Sequence, residues 1–213
     1  MKFNELVKRV ISSVIIIPIV ILLVYLGSYY FILFLFLCFT IATYEWTKIA
    51  KLKNYLIPGF IFIGLSFISA YNTRYITFYD YEGVLTFLFI LLICILTDIG
   101  GYVFGKTLKG PKLTKISPNK TISGAAGSLI SSLIIFSVYI YLNTGVFNNK
   151  ILFVSLITSV SCQVGDLLIS YLKRKAKIKD TGNLLPGHGG ILDRVDGILI
   201  GLPIGFFSFI LLY

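Results

Sequence analysis

Residues 83–107, GVLTFLFILLICILTDIGGYVFGKT, support two incompatible readings. The last eight, GGYVFGKT (Gly100 to Thr107), fit the phosphate-cradling pattern G-x-x-x-x-G-K-[ST] letter for letter. That pattern cradles phosphate when a β-strand stands before it and a helix after it. On its N-terminal side, Gly83 to Asp98 is an apolar run that reads as a membrane-spanning helix over 83–104, since a crossing takes about 20 residues. On its C-terminal side, LKGPKLTKISPNK (108–120) contains Gly110, Pro111 and Pro118 and cannot open a helix. The match is accidental as a nucleotide loop, and its glycines are expected to let membrane helices pack closely. The loop beyond it still suits phosphate oxygens, because Lys106, Lys120, Ser117, Asn119 and Thr121 make it basic and rich in hydroxyls.

The whole chain agrees with the membrane reading. Only 13% of its residues are charged and 57% are hydrophobic, with a mean hydropathy of +0.91. A soluble domain carries about 25% charged residues, so this one lacks the polar surface to cover itself. Apolar runs near 10–29, 29–46, 55–72, 83–104, 122–143, 151–172 and 194–213 predict an all-α polytopic integral membrane protein, a bundle of about seven transmembrane helices. Gly27-Ser28 alone separates the first two, which makes a tight hairpin. Gly197, Gly201 and Pro203 interrupt the last. The chain reads as one membrane domain, 1–213, with N-terminal spans in 1–97 and most of the informative polar residues in 98–213. Residues 1–27 have the charge pattern of a signal peptide, but the apolar core is long and no small-x-small site comes after it, so a retained helix is expected. Cys38, Cys94 and Cys162 lie singly in apolar runs and read as core residues.

A net charge of +10 would fit nucleic acid, yet its distribution excludes that partner. Lys and Arg fall in alternate loops: residues 2–9, 48–53, 106–120 and 173–194 hold 17 of the 19 basic residues, and only Arg74 and Lys150 lie elsewhere. The positive-inside rule places the basic loops in the cytoplasm, in a cell's inner membrane. Anionic lipid headgroups account for the first two sets. They do not account for the last two, which also hold Asp, His and most of the informative glycines.

Asp98 closes one span and Asp166 lies deep in another, where an acid costs at least about 2.5–3.5 kcal/mol. Asp166, Ser170, Lys173 and Arg174 are spaced by four, seven and eight residues and share a helix face. Asp193 and Asp196, three apart, share another if their segment is helical. Before them, Pro186-Gly187-His188-Gly189-Gly190 is a turn whose backbone N–H groups could take an anion. A structural ion pair is the plain alternative for these acids. Carboxylates without Cys and with a single His favour a hard cation, Mg²⁺ rather than zinc. Carboxylate-held metal within and cations at the rim suit phosphoryl or nucleotidyl transfer. Intramembrane acids also mark transporters, but no pair of broken helices in matching halves is present.

Residues 170–196, SYLKRKAKIKDTGNLLPGHGGILDRVD, resemble the signature of the phosphatidate cytidylyltransferases (CDP-diacylglycerol synthases). The stretch Asp98 to Lys106 with Ser117 to Thr121 is similar to that family's second loop, although Ser123 stands where the family usually has an acid. The resemblance covers about 98–197; the N-terminal spans share only hydrophobicity. It implies transfer of CMP from CTP to phosphatidic acid at the cytoplasmic face, giving CDP-diacylglycerol and pyrophosphate. It further implies Mg²⁺, with one ion or two left open, and a homodimer. The carried-over roles are catalysis by Asp166, Lys173, Asp193 and Asp196, the three acids holding metal. Substrate contacts fall to Ser170, Arg174, Lys106, Asn119, Lys120, Thr121, His188 and Arg194. A catalytically degenerate relative is the rival within the family. Enzymes that consume CDP-lipids are excluded, since Asp196-Gly197 continues as Ile-Leu-Ile-Gly.

Overall fold

In a computed structural model of the chain, residues 3–50, 53–77, 82–114, 117, 120–145, 148–184 and 189–212 are described, those of 3–13, 53, 135–136, 139–140 and 143–144 as backbone alone. The chain is helical: α1 (Phe3–Leu26), α2 (Ser28–Ile49), α3 (Leu56–Tyr75), α4 (Gly83–Thr107), α5 (Ile122–Thr144), α6 (Asn149–Lys175), α7 (Leu192–Val195) and α8 (Ile198–Leu212). Among the described residues, α2, α3, α4 and α6 are long and apolar enough to cross a membrane. Shorter apolar stretches occupy Val14–Leu26, Ile122–Ile134 and Ile198–Leu212. The protein is a multi-pass membrane protein, with four long apolar helices and three shorter apolar stretches among the described residues.

The GGYVFGKT stretch is the last two turns of α4 and not a loop. Its glycines face α5, and this is the most intimate helix contact in the bundle. A Cβ on Gly101 would stand 2.7 Å from Ser128 Oγ, and one on Gly124 would stand 2.8 Å from the Gly101 carbonyl oxygen. Missing side chains let the two backbones touch, as small residues do between membrane helices.

The Gly27 turn needs its glycine, whose φ is +62°. Arg74 at the end of α3 donates from Nε to the Val24 carbonyl at 2.8 Å and pins that hairpin. Asn148 caps α6 by accepting from Lys150 N and Ile151 N at 3.0 and 3.4 Å. The core forms two layers. One, towards the Gly27 end, is built on Phe31, Phe87, Ile90, Val154 and Phe206. The other, with Trp46, Ile49, Ile63, Ile169 and Leu192, lies beneath the opposite end, where the basic loops gather.

The last span departs from its expected bounds. The helix breaks at Asp196-Gly197 and the apolar helix begins only at Ile198, so Arg194 and Asp196 precede it. Asp196 Oδ1 accepts the Gly197 N–H at 3.0 Å, and Gly197 itself packs on Cys162 of α6. The three cysteines are free, with Cys94 and Cys162 buried.

Candidate active site

At the basic end, a cavity of about 440 Å³ opens between α4, the 108–121 loop, α6 and the 180–196 segment. Lys120 reaches it on a hairpin held by backbone bonds, Leu113 N to Lys120 O at 2.8 Å and Ile122 N to Pro111 O at 3.0 Å. Its ammonium forms an ion pair with Asp166 Oδ2. Ser170, one turn further along α6, donates to Asp166 Oδ1 at 3.3 Å. Of the four residues expected to share a face from their spacing, Asp166, Ser170 and Lys173 line the cavity and Arg174 does not.

Lys173 is buried and bridges two acids, reaching Asp193 Oδ1 at 3.0 Å and Asp196 Oδ2 at 3.4 Å. Asp193 Oδ2 accepts the N–H groups of Thr181 and Gly190 at 2.8 and 2.9 Å. Burial alone would raise the Asp193 carboxyl, but those two N–H groups and Lys173 together bring it below the ordinary carboxylate range. Asp196 goes the other way. Burial, reinforced by the Asp166 charge and opposed by Lys173, pushes its carboxyl up to about 7. Gly165 makes the approach possible: a Cβ there would stand 2.8 Å from the Asp196 carbonyl oxygen.

The expected site residues separate into groups. Asp166, Ser170, Lys173, Asp193, Asp196, Lys120, Thr121 and Arg194 all border the cavity. Thr121 spends its hydroxyl capping α5, accepting from Gly124 N at 3.1 Å. Two expected residues lie off the lining. Lys106 lies over the Tyr102 ring and its ammonium donates to the Tyr102 hydroxyl at 3.4 Å, and Arg174 points back to the Ile178 carbonyl at 3.3 Å. Asn119 and His188 fall outside the described residues. Ser123, the departure from the family pattern, donates to the Lys109 carbonyl and pairs with Thr121 Oγ1 at 3.0 Å.

Sequence reasoning missed Glu45 of α2. It is only 2% exposed, and its carboxylate is the centre on which the signature loop folds. Oε2 accepts from Thr181 Oγ1 at 2.9 Å and Leu192 N at 2.8 Å, and Oε1 from Ile191 N at 3.1 Å. A Cβ at Gly182 or Gly190 would collide with this carboxylate, which explains two signature glycines. Lys48, one turn on, donates to the Thr181 carbonyl at 3.1 Å. The signal was available, because Glu45 is the sole acid in an apolar span and carries the same burial cost that singled out Asp166.

Among the described residues no three His, Cys, Asp or Glu side chains converge into a ready metal cage. The donors facing the cavity are nonetheless carboxylate and hydroxyl oxygens, from Asp98, Asp166, Asp196 and Ser170. That set fits Mg²⁺, which keeps waters and takes one or two carboxylates plus substrate phosphates rather than a full protein cage.

Comparison with known proteins decides the family. The model of the cytidylyltransferase family matches this chain over residues 7–80 and 60–212, two overlapping segments that cover nearly all of it. The chain belongs to that family. The enzyme is similar to a Rickettsia bellii protein named phosphatidate cytidylyltransferase, 34% identical over 96% of this chain and 90% of the relative. A Rickettsia felis protein of the same name is 34% identical over 95% and 92%. A Staphylococcus aureus namesake is 44% identical over 67% of this chain and 54% of its own length. Membership makes the chain a nucleotidyltransferase of phospholipid synthesis and gives the carboxylate and lysine cavity a chemical setting.

Proposed function

We propose that the enzyme transfers CMP from CTP to phosphatidic acid, releasing pyrophosphate and forming CDP-diacylglycerol. The observation that carries this reading is the polar cavity. In it, ammonium groups from two elements and carboxylates from three stand together at one end of an apolar bundle. A charged nucleotide can enter such a cavity from water while a lipid phosphate arrives from the membrane.

The chemistry needs no protein nucleophile. An unesterified oxygen of the phosphatidate phosphate attacks the α-phosphorus of CTP. A new P–O bond forms, the bond from that phosphorus to the α–β bridging oxygen breaks, and pyrophosphate leaves with the electron pair. The protein's work is positioning and charge neutralisation. Lys120 and Lys173 are oriented by their carboxylate partners and present ammonium groups to the phosphates; Arg194 adds a guanidinium to the lining. Asp166 and Asp196, with Asp98, offer the oxygens that would hold Mg²⁺, whose bound charge would neutralise the triphosphate. Asp193 accepts three hydrogen bonds within the protein, and its main work is to fix Lys173 and the signature loop. The basic end faces the cytoplasm of an inner membrane, where CTP is available.

The test is pyrophosphate release by purified protein in detergent. Release should require CTP or dCTP, phosphatidic acid and Mg²⁺ together. Equal turnover of ATP, or turnover without the lipid, would exclude the reaction. Asp166→Asn and Asp196→Asn should each lower the rate on the order of a thousandfold, and the double variant should be little worse, since groups acting as a unit are not additive.

A further inference from the structure

Beyond the polar cavity lies a second one of about 490 Å³, within the usual range for ligand pockets (~300–1,000 Å³). The two are stacked along the same elements. On α4, Asp98 and Thr97 face the polar cavity, while Ile95, Leu91 and Phe87, successively deeper in the helix, face the second. The 194–202 segment makes the same change, from Asp196 to Leu199 and Leu202. Arg194 borders both cavities and is the one charged side chain in the second lining among the described residues. The remaining walls are α1, α2 and α3; Ile17 and Ile21 of α1 are 50% and 47% exposed and form a rim with Leu92 of α4. The cleft therefore opens sideways on the outer face of the bundle, where a bilayer would stand.

From this arrangement the geometry points to a lipid-tail subsite: the cleft bounded by α1, α2, α3, α4 and α8 receives an acyl chain of the lipid whose phosphate lies at Arg194. The assignment rests on phosphatidate being the acceptor lipid. Polar and apolar linings change at one depth on two separate elements, and a guanidinium marks the junction. A molecule with an anionic head and a hydrocarbon tail matches both halves. Bulk lipid could wet the same cleft, because tails are as apolar as its lining. What distinguishes a subsite is register: a tail seated there fixes the phosphate against the nucleotide, and misplacement by about 1 Å can cost on the order of a hundredfold in rate.

The experiment uses the full chain in phosphatidylcholine nanodiscs with phosphatidic acid that carries a diazirine on one acyl chain. Photolysis and peptide mapping should place adducts on 85–95 and 198–202. Excess dioleoyl phosphatidate should suppress them, while extra phosphatidylcholine should not. In parallel, Ile17→Trp and Leu92→Trp should raise KM for dioleoyl phosphatidate about tenfold and leave KM for CTP unchanged. Both should matter little for a dihexanoyl substrate, and Leu211→Trp on the remote apolar surface should have no effect. Adducts spread over all exposed apolar faces without competition, or Trp variants with normal long-chain KM, would overturn the subsite while the reaction stood. Absence of CMP transfer with every lipid would instead fail the reaction, and the competed adducts would still report on the cleft.

Discussion

Glu45 shows how one side chain can organise a site it does not border. Three donors from the 181–192 segment converge on a carboxylate that arrives from a helix more than 130 residues earlier in the chain. Removing it strands two backbone N–H groups and a hydroxyl in a buried place, each costing about 1–3 kcal/mol. Glu45→Ala should therefore lose about 3 kcal/mol or more of stability together with activity, read as a fall in melting temperature in detergent. Glu45→Asp should recover part of both. The two lysines should separate in the same assay. Lys173 lies in a buried bridge, and Lys173→Met strands two acids, an arrangement whose breakage costs about 3–5 kcal/mol. Lys120, whose side chain is 26% exposed, pairs with Asp166 near water. Lys120→Met should thus depress turnover while leaving the melting temperature nearly unchanged; a comparable loss of stability would show that the pair is structural.

Among the helices, glycine placement sets how close the polar groups come. Gly165 sits one residue before Asp166, and its missing side chain lets α6 touch the Asp196–Gly197 backbone. An added methyl would push backbone against backbone, and overpacking of that kind costs about 1–3 kcal/mol. Gly165→Ala should lower the melting temperature and also raise KM for CTP, since it parts Asp166 from Asp196. Gly124→Ala tests the α4–α5 contact in the same way, with a Cβ 2.8 Å from the Gly101 carbonyl. It should destabilise the fold with little change in KM for CTP. An unchanged melting temperature would mean that the helices can part without loss. The GGYVFGKT stretch belongs to this contact, and its resemblance to a nucleotide loop comes from residue types that membrane helix packing also selects.

For the molecule as a whole, the bundle has two unlike ends. The hairpin at Gly27, the end of α3 and the start of α4 at Glu82 lie at one; the signature loop, Lys112 and Lys120 lie at the other. The proposed reaction, which draws on cytoplasmic CTP, requires the second end to face the cytoplasm, as the charge asymmetry leads one to expect. A cysteine at Lys177, which is exposed, should be shielded from an impermeant thiol reagent in intact cells, and one at Glu82 should react. The opposite labelling pattern would put the cavity on the side without CTP.

The apolar runs and the common side of the basic loops were legible from residue order, because hydropathy and loop charge are local properties that need no partner. So was most of the face expected from helical spacing: Asp166, Ser170 and Lys173 share the cavity, while Arg174, the fourth member, does not. The break before α8 was half visible in Gly197, although its position was not, because it depends on Asp196 meeting the Gly197 N–H against α6. Pairings across long separations were hidden: Lys120 with Asp166, Lys173 with both acids, and Glu45 with the loop it centres. Equally hidden was the retreat of Lys106 and Arg174 from the cavity that their neighbours line. Which charge meets which is set by helix packing, and that packing is decided by where small residues let backbones touch.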